Sequence, residues 1–231
     1  MAGAGKFIAL CKELESAVNA RYGGTNHGES AYVFLSKKAE FKPYIKELDL
    51  IREVRNLIQH KDVEVKGKEA IYIDEVLMDA LHEIIQLVKH PETVGDICTR
   101  DLETASLEIP VKDVMSRMLD TSYSHIPVLD DQGRLIGIFS ENTIFTRVAK
   151  EGMEALTEQD CVGDYEAYLD IRDHVRDSFE FIAETVVTED AVERFKKRDK
   201  QGRRLAMLVV TEHGDPTEKV LGVLTPYDVL E

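Results

Sequence analysis

Tryptophan is absent from this 231-residue chain, and cysteine, proline and long apolar runs are scarce. The three cysteines, Cys11, Cys98 and Cys161, are odd in number, far apart and without a C-x-x-C pair. That argues against a disulfide framework or a metal site and fits a reducing cytoplasm. No tract approaches the roughly 20 apolar residues of a membrane span, so no membrane partner is expected. The opening segment, MAGAGKFIALCKELE, has no secretory apolar region because Lys12, Glu13 and Glu15 interrupt it. Glycine-rich phosphate loops and Ser–His–Asp arrangements are also missing. His82, His90, His125, His174 and His213 show no ligand spacing and read as solvated or core residues.

What is abundant is acid. The net charge is −15, and it is unevenly spread. Residues 1–92 carry 13 Lys+Arg against 15 Asp+Glu, whereas residues 93–231 carry 16 against 29. A half that acidic repels a phosphate backbone and makes a poor nucleic-acid binder; the first half has no such handicap.

The acidic half contains a repeat. Thr93-Val94-Gly95-Asp96 returns as Cys161-Val162-Gly163-Asp164. The run from His125 to Gly133 aligns without gaps to the run from Ala206 to Gly214. After four extra residues, Arg134 to Ser140 pairs with Lys219 to Thr225. Each copy has a helical stretch, marked by Val111, Val114, Met115 and Met118 or by Ala191, Val192 and Phe195. Two apolar runs of strand length follow, joined by a polar turn. Ser140 or Thr225 then stands where a helix would start, as a hydroxyl able to accept from a free backbone N–H. The order is strand, helix, strand, strand, helix. Neither copy is large enough to bury its sheet alone, so the two are expected to pack face to face.

This pattern resembles the CBS domain, and two in tandem resemble a CBS pair. The specific element is glycine, two apolar residues, Ser/Thr, two variable residues and Asp, intact in copy two from Gly222 through Thr225 to Asp228. The resemblance implies a ribonucleotide clamp: the Asp228 carboxylate takes the two ribose hydroxyls, while Thr225 and the helix N-terminus face phosphate. The implied ligand is AMP, ADP or ATP, or S-adenosylmethionine. The chemistry agrees, since adjacent hydroxyl donors suit one bidentate carboxylate and helix N-termini attract anions. Arg204, just before the first apolar run of copy two, offers a cation to a phosphate. A helix cap with a first-turn acid would use Thr225 and Asp228 equally well. In copy one Thr143 stands where the family has Asp, so a site at Ser140 and Thr143 is expected to be weak or empty.

The first ninety residues read as an α-helical bundle with almost no strand signal beyond Glu69–Ile73. Helical apolar spacing marks Phe7 to Val18, stopped by Gly23-Gly24; Ile45 to Ile58; and Val76 to Val88, ended by His90-Pro91. The long middle helix closes on Arg55-Asn56-Leu57-Ile58-Gln59-His60, with Asn56 and His60 on one face. Arginine, a polar amide and histidine at one helix end suit metal-independent phosphodiester cleavage. Pairing of Arg55 with a neighbour such as Glu53 or Glu47 is the simpler alternative. The string resembles the HEPN family of helical bundles, which implies either a dimeric ribonuclease acting on RNA or a non-catalytic member.

The expected architecture is therefore α+β with two domains: a HEPN-like helical domain at 1–92, then CBS-like β-α-β-β-α modules at 93–155 and 156–231, packed sheet to sheet. The expected function is ligand sensing, in which an adenosine-type nucleotide controls the helical domain. The alternatives are a ribonuclease gated by that ligand and a non-catalytic dimerisation module. A homodimer is expected in each case.

Overall fold

The computed structural model describes residues 2–23, 28–60, 64–65 and 68–229. The chain divides into two compact units, Met1–Pro91 and Glu92–Glu231. The first opens with β1 (Ala2–Gly3), α1 (Ala4–Tyr22), α2 (Ala31–Ser36), a 3-10 turn (Ala39–Tyr44) and α3 (Ile45–His60). It continues with two-residue strands β2 (Glu64–Val65), β3 (Lys68–Glu69) and β4 (Tyr72–Ile73), and ends with α4 (Glu75–Lys89). Gly23 ends α1 at φ 72°, a left-handed conformation that glycine adopts without strain. Gly24 and residues 25–27, expected to complete the stop and open a loop, lie outside the described residues.

Phe7 and Leu14 of α1 join Leu48 and Ile51 of α3 and Leu81, Ile84 and Ile85 of α4 in one buried core. The expected apolar stripes thus converge, each fully buried large side chain contributing about 1.5–3 kcal/mol. Two members stay exposed, Ile45 and Val76. Each occupies the first turn of its helix, where the stripe has not yet met a neighbour. Strand content slightly exceeds expectation, because Ala2–Gly3 pairs antiparallel with Tyr72–Ile73. Among the described residues no helix is long and apolar enough to cross a membrane.

The second unit runs through α5 (Val94–Ile97), α6 (Val111–Thr121), β5 (His125–Leu129), β6 (Leu135–Ser140) and α7 (Glu141–Glu151). After a 3-10 segment (Val162–Tyr168) come β7 (Asp177–Ala183), α8 (Thr188–Phe195), β8 (Arg204–Thr211), β9 (Gly222–Leu224) and α9 (Pro226–Val229). β7 pairs parallel with β8, which pairs antiparallel with β9. β5 and β6 form an antiparallel pair. The first strand expected in copy one shrinks to a single bridge, Ala105 to Val128. Composition explains the difference: β7 reads Asp-Ser-Phe-Glu-Phe-Ile-Ala, whereas Asp101-Leu-Glu-Thr-Ala-Ser offers few strand-favouring side chains.

The two copies meet through Ile138, Phe179, Met207, Val209, Val220 and Val223, which form one buried cluster. Their lead-in segments are exchanged. Val94 belongs to the core of copy two, with Ile182, Ala191, Leu208 and Leu224. Val162, Tyr165 and Leu169 belong to the core of copy one, with Val114, Ile126, Val128 and Phe139. The hydrogen bonds come in equivalent pairs. Val94 and Gly95 N–H donate to Val186 and Glu184 O, as Val162 and Gly163 donate to Ile109 and Leu107 O, all at 2.8–2.9 Å. Val223 N–H donates to Thr99 O at 3.0 Å, as Ile138 donates to Leu169 O at 2.9 Å. The two cores therefore do not follow the order of the repeats along the chain.

Glycine permits this approach. A Cβ on Gly222 would lie 2.7 Å from Thr99 O, and one on Gly137 would overlap Leu169 O more severely still. At Gly163 the nearest atom, Leu107 O, is 3.2 Å away. Gly137→Ala should accordingly lower unfolding free energy by about 3 kcal/mol and Gly163→Ala by about 1 kcal/mol, read as midpoint shifts in urea.

Candidate functional site

The turn singled out in copy two folds as a cap. The Thr225 backbone N–H and hydroxyl both donate to Asp228 Oδ2, at 2.6 and 2.8 Å. Asp228 N–H returns a bond to Thr225 O at 3.1 Å. The same box recurs at Thr93 with Asp96 and at Cys161 with Asp164, where the acid accepts the cap residue's N–H at 2.8 Å. Capping alone therefore does not set Thr225 and Asp228 apart.

Their surroundings do. A cavity of about 540 Å³ opens beside them, and Arg204, Thr225 and Asp228 all line it. That volume lies within the roughly 300–1,000 Å³ typical of small-molecule sites. Both cap bonds end on Oδ2 of an exposed carboxylate, so Oδ1 is available to a ligand hydroxyl. Leu102, Pro127, Ala206, Met207 and Val223 supply apolar walls on which an aromatic base can lie. Ser122, at φ 60° the one described non-glycine residue with positive φ, also lines the cavity. Left-handed backbone costs a residue with a Cβ about 1–2 kcal/mol, and such strain is often found at binding sites.

Copy one supplies half of this wall, which the repeat pattern did not reveal. Asp101 and Glu103 come from its lead-in, residues 121–123 from the end of α6, and His125 from β5. His125 and Asp177 face each other at 3.4 Å, with the Ser124 hydroxyl 2.8 Å from the other ring nitrogen. His125 belongs to the β5–β6 pair and Asp177 to the β7–β8–β9 sheet, so packing between two sheets brings these groups together and spacing within one copy could not have found them.

The counterpart in copy one is closed. Ser140 and Thr143 are each 2% exposed, and the Ser140 N–H donates to the Thr143 hydroxyl at 3.0 Å. Thr143 lines a void of only about 40 Å³, beside His174 and Tyr168. That holds about three waters at most. Thr143 preserves the cap that Asp228 makes in copy two but brings no carboxylate.

In the first unit Arg55 and Asn56 line a separate cavity of about 400 Å³. Arg55 pairs with Glu15 of α1 at 3.0 Å, rather than with Glu53 or Glu47, and also donates to the Asn56 side chain at 3.2 Å. Its Nε is buried without a partner. His60 is the last residue of α3, and its side chain lies outside the described residues. The described residues hold no cluster of three or more His, Cys, Asp or Glu able to bind a metal.

Residues 94–150 match the family model of the CBS domain, and this match falls on copy one. No curated protein matches the chain. Among solved structures, a CBS domain-containing protein from Bacillus anthracis is 17% identical, covering 61% of this chain and 91% of its own at a TM-score of 0.44. The CBS-pair protein CBSX2 from Arabidopsis thaliana is 22% identical (60% and 92% covered, TM-score 0.41). The CBS domain of a bacterial CNNM/CorC family Mg2+ transporter, solved with ATP, is 18% identical (65% and 92%, TM-score 0.43).

Two histidines near the copy interface are held neutral. Burial pushes the His125 and His174 pKa values below the usual 6.5, and for His125 it outweighs the pull of Asp177. Both rings pack edge-on against Phe179, at centroid distances of 5.4 and 4.9 Å. Above pH 6.5 the folded and unfolded chains both carry neutral rings, and this contribution to stability is fully present. As pH falls through the depressed folded values, the unfolded chain binds the protons first and stability is lost, by up to about 1.4 kcal/mol per pH unit for each ring. Urea midpoints should fall as the pH drops below 6.5, and His125→Asn with His174→Gln should flatten that slope.

Proposed function

We propose that this chain is a ligand-sensing regulator. In this reading an adenosine-type nucleotide binds in the copy-two cavity and changes the state of the helical domain. The supporting observation is that Arg204, Thr225 and Asp228, picked out by a sequence pattern, share a cavity of small-molecule size, whereas the pseudo-equivalent position is filled. Asp228 Oδ1 takes the ribose hydroxyls, the apolar wall takes the base, and Arg204 lies toward the 5′ substituent. The proposal divides the chain into the helical domain at 1–92 and modules at 93–155 and 156–231, working as a homodimer in the cytoplasm. Ordering of the strained Ser122 loop on binding would carry the signal from the cavity.

Asp228→Ala removes a cap and should lower baseline stability by about 1 kcal/mol. The decisive readout is the shift in melting temperature on adding adenosine ligands. It should be several degrees for the wild type and lost in the variant; an equal shift in both removes Asp228 from the site.

A second reading concerns the first unit and rests on Arg55 and Asn56 sharing a cavity with Arg52. The helical domain would cleave RNA, with Arg55 stabilising charge on the phosphate and His60 moving the proton. Glu15 must release Arg55 for this to work, since the ion pair neutralises the guanidinium. Wild type should then cleave RNA in chelator and His60→Ala should not. Intact RNA with both proteins, with and without adenosine ligand at low salt, removes this reading.

A further inference from the structure

The copy-two cavity is lined by four carboxylates, Asp101, Glu103, Asp177 and Asp228, against one permanent cation, Arg204. His125 does not redress the balance, because burial keeps its ring neutral at pH 7. Glu103 is partly offset by Arg117 at 3.4 Å, but Arg117 itself is not on the cavity wall. A second feature has the same sign. The α6 helix ends at the cavity, where Thr121, Ser122 and Tyr123 form part of the wall, and its last turn holds no basic residue. The carbonyl end of a helix carries partial negative charge and favours cations. A polyphosphate entering this space would meet an excess of like charge, in a cleft whose low-dielectric walls strengthen the repulsion.

We infer that the cavity selects an adenosine-type nucleoside whose 5′ substituent is neutral or cationic, of the thioether or sulfonium class, and rejects nucleoside polyphosphates. The inference rests on the reading of the site proposed above as one for adenosine-type ligands and narrows it. The ribose is held by Asp228, the sulfonium or amino group of the substituent lies toward Asp101 and the end of α6, and Arg204 can pair with a carboxylate on the same substituent.

Calorimetric titration of the full chain in chelator at low salt tests this with four probes: S-adenosylmethionine, 5′-methylthioadenosine, AMP and ATP. The first two should bind at least tenfold more tightly than ATP, with AMP between them. Raising salt should weaken the sulfonium compound and strengthen ATP, because screening acts on both signs of interaction. Asp101→Asn with Glu103→Gln should narrow the gap by threefold or more, while Asp228→Ala abolishes binding of every probe that the wild type takes. ATP binding as tightly as 5′-methylthioadenosine, with or without magnesium, overturns the inference and leaves the nucleoside site standing. A gap that neither salt nor the double variant moves also overturns it. Absence of binding by all four probes overturns the nucleoside reading together with the inference.

Discussion

The acidic unit depends on a backbone approach that side chains would forbid. Gly137 lies against the carbonyl of Leu169, and Gly222 lies against that of Thr99. Because both positions lack a Cβ, the lead-in of each copy can cross to the other and hydrogen-bond along its final strand. Thr93–Thr99 thereby closes copy two, and Cys161–Leu169 closes copy one. Neither module has a complete core without a segment that belongs, in sequence, to its partner. Such an exchange couples the copies more tightly than face-to-face packing alone, since opening one module uncovers backbone groups in both. It also fixes where the cavity can form, because the chain that leaves Thr99 passes directly into Asp101, Leu102 and Glu103 on the cavity wall.

A frame with approximate two-fold symmetry offers two clefts, and side chains decide their fates. His174, its ring packed against Phe179, lines what remains of the first cleft, and Thr143 ties down Ser140 within it. The second cleft stays open and is lined on the copy-one side by small and polar residues, among them Thr121, Ser122 and Ser124. The exchange of Asp for Thr at position 143 is nearly silent for folding. A hydroxyl accepts the cap N–H as a carboxylate does, but it cannot receive two ribose hydroxyls at once. Copy one thus keeps the cap of the motif without its carboxylate.

The legible parts of the sequence were those written locally. Helical spacing found α1, α3, α4 and α6, with errors only at first-turn residues such as Ile45 and Val76, or at edges such as Met115. Thr225 and Asp228, marked by the glycine-to-aspartate motif, and Arg204, marked by its position at the start of a strand, line one cavity. What escaped was set by pairing across long stretches of chain. The exchanged lead-ins are visible in sequence only as a repeated tetrapeptide whose destination nothing local specifies. Asp101, Glu103, His125 and Asp177 reach the cavity from three elements, and no periodicity joins them. Arg55 illustrates the same limit: its own helix offers Glu47 and Glu53, whereas the acid that pairs with it, Glu15, reaches it from α1.

The acidity of the cavity and the neutrality of His125 are two consequences of one environment. His125 lies among Asp177, Glu141 and the neighbouring His174, and burial overrides the attraction that the two acids exert on a proton. A ligand that brings positive charge into this space competes for the same field as a proton on His125. By linkage, each makes the other's binding weaker. On the proposed reading, a cationic ligand therefore lowers the tendency of His125 to protonate further, and affinity declines as pH falls through the depressed His125 value of the folded chain. A polyphosphate would have the opposite coupling, drawing a proton onto His125 as it bound. The sign of proton uptake or release on binding is thus set by the charge of the ligand, through a residue that need not touch it.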